Sequence, residues 1–309
     1  MALQEYCDLS FEPILLSPEE EAIEIYPYRR VWRTSGFEVG VLLAAVLLIF
    51  LLTDVLQVLP TSLRDPLPKV GIAVLPLAAW FLFSFRGERR ALSPRPALLR
   101  VLVLGILVAN AIAIQLEERL YRPEEWLPGS GFFGRVLGYM LTVGITAEFL
   151  KYAVLRYTVW PSCFRQRLDG IAYALAVSLG YAIVYNLRFA LYTDATLVAT
   201  ALRVASITFS QLGVGVIIGF FLAELRISRP PIFWLPVGLM LAALLSGLYY
   251  GFRSITIVSG LNVGATASSP IRGLALALGL VVLMFSIFAF IIESADARME
   301  ALTGRRHTL

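Results

Sequence analysis

Residues 200–224 read TALRVASITFSQLGVGVIIGFFLAE, and this stretch settles the class of fold. A bilayer core is crossed by about 20 mostly apolar residues, and only Arg203 and Glu224 carry charge here. Working outward from it, seven further stretches have the same character: 38–59, 69–85, 99–116, 132–155, 169–191, 232–252 and 271–293. The second is the shortest and holds Pro76 in its middle. Across all 309 residues, 58% are hydrophobic and 16% charged, with a mean hydropathy of +0.77. Soluble domains carry about 25% charged residues, so this composition leaves too little polar surface to coat soluble cores. Soluble enzymes, nucleic-acid binders and disordered scaffolds are excluded from the first rank. The chain is predicted to be an all-α, polytopic membrane bundle of about eight transmembrane helices.

Positive charge gives the orientation, because Lys and Arg accumulate in cytoplasmic loops. Sixteen lie on the side of the N-terminus, seven on the other side, and Lys151, Arg188 and Arg203 fall within spans. Both termini are therefore expected in the cytoplasm, which requires an even number of spans. Residues 1–36 read as an interfacial segment without a cleavable leader. It holds a short helix start at Ser17-Pro18-Glu19-Glu20-Glu21 and an anchor of Tyr26, Tyr28 and Trp32 among arginines. Residues 37–293 make the bundle and 294–309 a cytoplasmic tail. The longest connections, 117–131 and 253–270, lie on the far side and are too short for a soluble domain. An internal repeat is not evident by eye, which weakens an inverted-repeat transporter.

Charge inside a bilayer opposes insertion by about 2.5–3.5 kcal/mol per group, so each such residue needs a partner or a purpose. The candidates are Asp54, Asn110, Glu148, Lys151, Asp169, Asn186, Arg188, Arg203 and Gln211, most of them between 148 and 211. Glu148 and Lys151, three apart, share a helix face and can pair. Asp169 stands where an N-cap would stand. Arg203, Ser206, Ser210 and Gln211 recur as one polar stripe. Gly215-x-x-x-Gly219 reads as a close-packing seam. Cys7 and Cys163 lie too far apart in sequence to suggest a disulfide framework or a metal knuckle, and the one histidine, His307, is outside every span. With no zinc donor set in the spans, no metal and no cofactor is expected. Ser246 has no histidine to activate it.

The region 147–251 resembles the PrsW-type glutamic intramembrane proteases, relatives of the CAAX-processing and bacteriocin-processing membrane endopeptidases. Their pattern runs E-E-x-x-K, then D-G-x-x-Y-G with a later E-N, then an Arg with a His eight residues on, then an H-G-x-x-N-like helix. Here Ala147-Glu148-Phe149-Leu150-Lys151 takes the first place, and Asp169-Gly170-Ile171-Ala172-Tyr173-Ala174 with Tyr185-Asn186 the second. Arg203 with Gln211 follows, and Ser246-Gly247 closes the pattern. Glu148, Lys151, Asp169, Gly170, Tyr173, Gly180, Asn186, Arg203 and Gly219 match. Ala147, Tyr185, Gln211 and Ser246 stand where the resemblance implies groups that handle protons.

Each general acid or base typically contributes 10²–10⁴-fold to a rate. Alanine offers nothing, and glutamine does not titrate. A tyrosine of ordinary pKa near 10 is no ready base at neutral pH. The resemblance therefore implies a degenerate member with no expected catalytic residues beyond a residual Glu148. Its expected intramembrane polar network comprises Glu148, Lys151, Asp169, Tyr173, Asn186, Arg203 and Gln211. The favoured function is a membrane-embedded binding or assembly subunit for another membrane protein or a lipid-like ligand, with membrane lipids around it and no nucleic acid. Two alternatives stand beside it. One is an active intramembrane endopeptidase using Glu148 with help from Arg203, Gln211 or Tyr185. The other is a transporter or channel subunit lined by Glu148, Lys151, Asp169 and Arg203.

Overall fold

The computed structural model describes residues 28–58, 66–89, 94–165, 167–227 and 230–258, and the isolated positions 279, 282 and 286. Among these residues, seven helices are long and apolar enough to cross a membrane. They are α1 (Gly36–Val55), α2 (Pro66–Arg89), α3 (Leu98–Gly129), α4 (Phe132–Thr158), α5 (Arg167–Tyr192), α6 (Leu197–Ile227) and α7 (Trp234–Phe252). Each corresponds to an expected stretch, so the polytopic helical bundle stands. Apart from positions 279, 282 and 286, the expected eighth span at 271–293 lies outside the described residues, as do the helix start at Ser17–Glu21 and the C-terminal tail. The helical course of α7 itself continues to Val258, into a stretch expected to be a loop.

Glycine and alanine decide which helices meet. In lipid there is no hydrophobic drive between apolar helices, so close backbone approach and van der Waals contact must hold them. α5 and α6 form the most extensive pairing in the bundle. A side chain added at Gly219 would come within 2.5 Å of the Gly170 carbonyl oxygen, and Gly215 lies directly against Ser178. The Gly215–Gly219 pair is thus used within the chain, as a seam. On the other flank of α5, a Cβ at Gly180 would stand 2.5 Å from the Leu102 carbonyl of α3. Gly144 of α4 sits equally tightly on Ala243 of α7, at 2.6 Å by the same measure. α5 and α6 are consequently the heart of the bundle, with 83% and 89% of their apolar windows buried, against 17% for α1.

Two local irregularities position the interior. A π-helical turn, Met140–Gly144, precedes the regular turns of α4 that carry Glu148. Another, Leu116–Tyr121, extends α3 beyond the expected end of its span. Such turns rotate the following side chains relative to a straight helix and recur at functional sites. Arg122, in the left-handed region at φ 42°, breaks the main run of α3, and Pro123 opens a short further turn. The segment 117–131, expected as a loop, is therefore mostly a helical end that packs on the bundle. Cys163 is disulfide-bonded, which its sequence surroundings did not suggest.

Candidate functional site

The centre of the bundle holds one buried ion pair. Glu148 and Lys151 are both 0% exposed. Because they are three residues apart on α4, their side chains lie one above the other on the face turned inward. Lys151 Nζ donates to both carboxylate oxygens, at 2.8 Å to Oε1 and 3.1 Å to Oε2. Ser246 Oγ of α7 donates to Oε1 at 3.1 Å. The ammonium also stands 5.3 Å from the centroid of the Tyr181 ring, within cation–π range. Two faces of the lysine and both oxygens of the glutamate are thus occupied by protein. Ala147, next in chain, is buried in the apolar core.

The other expected residues fall into three further places. At the far side, Tyr185 donates its hydroxyl to Glu117 of α3, and Arg188 pairs with Glu118. Tyr181 lies between the two carboxylate positions, in the field of both Glu148 and Glu117, and its buried hydroxyl has no hydrogen-bond partner among the described residues. In the α5–α6 seam, Asn186 Nδ2 donates to Thr208 Oγ1 at 3.1 Å. Gln211 is 3% exposed, and its Oε1 accepts no hydrogen bond among the described residues. The expected stripe on α6 is divided. Arg203 turns its guanidinium over the Phe189 ring at 4.4 Å, while Ser206 accepts from Tyr249 Oη of α7 at 3.2 Å.

Asp169 and Tyr173 belong to a cluster at the N-terminal side, well away from Glu148. Asp169 is the third residue of α5 and reaches back to accept from the Arg165 backbone N–H at 2.8 Å, a role close to the expected cap. Arg95 links it at 2.7 Å to Glu88, also at 2.7 Å, and Tyr173 donates to the Pro96 carbonyl at 2.7 Å. Burial works against the Arg95 charge, but the Asp169 and Glu88 carboxylates more than offset it and hold the guanidinium above its ordinary pKa. Arg167 pairs with Glu224 beside it at 2.7 Å. These contacts fasten the α2–α3 connection and α6 to the start of α5. Asp54 and Asn110 point outward, exposed.

Sequence reasoning missed Glu117, Thr208, Tyr181 and the Arg95–Glu88 pair. Glu117 directly follows the apolar run 99–116, and continuing that helix by one residue would have placed it in the bundle. For Ser246 the contact was invisible, since its acceptor lies 98 residues away.

Chemically, the centre offers one hydroxyl, one carboxylate and one ammonium. Ser246 and Glu148 stand at the separation of a nucleophile and a base, with Lys151 orienting the base. Neither is open to water.

A family model described as PrsW family intramembrane metalloprotease matches residues 93–292. That range extends well beyond the 147–251 region that carries the motifs. Protease PrsW of Bacillus subtilis (strain 168) is 26% identical over 185 residues, covering 58% of this chain and 80% of that protein. Protease PrsW of Halalkalibacterium halodurans is 33% identical over 123 residues, covering 38% of this chain and 56% of that protein. No solved structure matches the chain. The family description implies a metal, and the donors here do not fit one. Zinc takes roughly three His, Cys or carboxylate ligands and an open position. Among the described residues, the Glu148 carboxylate stands there without a second one, already engaged by an ammonium and a hydroxyl. Among the described residues no group of three His, Cys, Asp or Glu could hold an ion.

Proposed function

Because the chain belongs to the PrsW family of intramembrane metalloproteases, we propose that it is a non-hydrolytic member of that family. It works as a membrane-embedded subunit that binds another membrane protein or a lipid-like molecule. One observation carries this reading: both oxygens of Glu148, the motif carboxylate the sequence retains, are held by Lys151 and Ser246 in a fully buried site. A water-activating base must present a free oxygen to its water, within about 2.6–3.2 Å. Here that oxygen is spent on protein contacts, and Ala147 and Gln211 supply no replacement. What persists is the bundle, with an interior ion pair that fixes α4 against α5 and α7. The surplus of Lys and Arg on the N-terminal side supports a cytoplasmic or plasma membrane orientation with that side in the cytoplasm.

The test uses the purified full chain in detergent with a membrane-spanning peptide. No cleavage is expected, and Glu148→Gln should be indistinguishable from the wild type. Affinity purification from native membranes should retain a membrane partner or lipid at fixed stoichiometry. Cleavage above background that Glu148→Gln removes would overturn the reading.

A second reading is favoured by one contact. Ser246 Oγ lies 3.1 Å from Glu148 Oε1, so an endopeptidase with Ser246 as nucleophile, Glu148 as base and Lys151 as orienting group is geometrically supplied. A fluorophosphonate probe decides it: labelling of Ser246 that is lost in Glu148→Gln favours this enzyme, and an unlabelled protein removes it.

A further inference from the structure

Several hydroxyls inside the spans satisfy themselves locally. Thr53, Thr142 and Thr200 each donate to the carbonyl four residues back, at 2.7, 2.7 and 2.9 Å. Any Ser or Thr within a helix has this bond on offer. Ser178 of α5 does not take it. Its hydroxyl is fully buried and has no hydrogen-bond partner among the described residues, and it is turned against Gly215 of α6.

Two amide oxygens of the same seam share that condition. Asn186 is 0% and Gln211 3% exposed, and neither Asn186 Oδ1 nor Gln211 Oε1 accepts a hydrogen bond among the described residues. Position brings the three groups together. On α6, Gln211 stands three residues after Thr208, which holds Asn186, and four before Gly215, which lies against Ser178. Helical spacing puts these α6 positions on one face. On α5, Ala182 is midway between Ser178 and Asn186 and presents only a methyl group. The stretch between the two contacts is thus bordered by one hydroxyl and two amide oxygens. A buried polar atom left unmet forfeits its hydration with nothing in return.

We propose that this stretch of the α5–α6 seam is a binding site for water, one or two molecules in file beside Gln211. A buried water typically makes about three hydrogen bonds to groups that the protein itself leaves unmet. Its protons suit the two amide oxygens, and its lone pair suits the Ser178 hydroxyl. Eight residues of helix rise about 12 Å, so Ser178 and Asn186 are joined by way of Gln211 between them. A cation also takes oxygen ligands. However, α5 carries no carboxylate from Ser178 to Asn186 and α6 none from Thr208 to Gly215, and an uncompensated charge is far costlier to bury than a neutral water. The site is independent of the function proposed above and stands whether or not the chain cuts peptides.

The experiment is water-edited solid-state NMR of the full, uniformly 15N-labelled chain in lipid vesicles. Polarisation from water should reach the side-chain amides of Asn186 and Gln211 about as fast as that of the exposed Gln57. It should reach the backbone amides of the buried Val214 and Ile217 several-fold more slowly. Gln211→Met, similar in size and without hydrogen-bonding groups, should slow transfer to Asn186 several-fold, and Ser178→Ala should slow transfer to Gln211. Both variants should unfold at a lower midpoint than the wild type, since each leaves the water with fewer partners. In a dry seam each would instead remove an unmet polar atom and raise the midpoint. Replacing sodium and potassium by choline should change nothing.

Transfer to both wild-type amides as slow as to Val214 overturns the proposal, and so does a raised midpoint in both variants. A wild-type midpoint that falls when sodium and potassium are withdrawn overturns it too, since the site would then hold a cation. If a variant does not fold, the wild-type transfer rates decide alone.

Discussion

Two charge clusters in this molecule use the same chemistry in opposite surroundings. Glu148 and Lys151 are sealed in the middle of α4, with side chains 1% exposed. Arg95, Glu88 and Asp169 sit at the N-terminal edge, with side chains 21%, 16% and 10% exposed. At the edge the side chains keep part of their access to water, so hydration offsets part of a lost contact and salt weakens the pairs. In the sealed pair nothing replaces a lost partner. There the desolvation penalty has already been incurred, and only mutual attraction and the Ser246 and Tyr181 contacts offset it. The edge cluster is a graded fastener and the central pair is all-or-nothing.

The sharpest way to break this contrast is Lys151→Ala. It leaves Glu148 buried without a counter-charge and should lower stability by about 3–5 kcal/mol, read by denaturant unfolding in detergent. A loss no larger than an edge substitution produces would end the distinction. Next comes Gly219→Ala in the seam, where the new methyl meets the Gly170 carbonyl. Overpacking of this kind should lower stability by about 1–3 kcal/mol, which separates tight packing from charge as the source of the first effect. Arg95→Ala, which leaves Glu88 and Asp169 partly buried without their shared partner, should lower stability by about 1–2 kcal/mol, and the difference should shrink as salt is raised. The Lys151→Ala effect should not respond to salt. Smallest of all is the double replacement Glu148→Leu with Lys151→Met. Removing both charges together should leave stability within about 1 kcal/mol of the wild type or raise it. A double variant as damaged as Lys151→Ala would show that the site needs the ions themselves.

The helices were legible in the sequence because each span must satisfy its backbone internally and face lipid, which leaves a long apolar run. The i,i+3 spacing of Glu148 and Lys151 was legible for the same local reason. So was the Gly215–Gly219 seam, since small residues one turn apart mark a close approach wherever the partner comes from. What local rules could not reach was contact between distant elements. Ser246 meets Glu148, Glu117 meets Tyr185, and Asp169 meets Arg95 across other helices or a connection. The regular spacing of Arg203, Ser206, Ser210 and Gln211 suggested one stripe, but its members have different partners, Arg203 over the Phe189 ring and Ser206 accepting from Tyr249. The end of α3 was lost because its charges look like a loop, although Glu117 is paid for by Tyr185.

The backbone-to-backbone seating of Gly170 and Gly219 has a mechanical consequence. With no side chain between them to bend or swing, α5 and α6 cannot slide or roll past each other without a clash, and they serve as one rigid spar. Relative movement within the bundle is then left to the peripheral helices. Among the described residues α1 has the smallest share of its apolar window buried, so it is the helix least held to that spar.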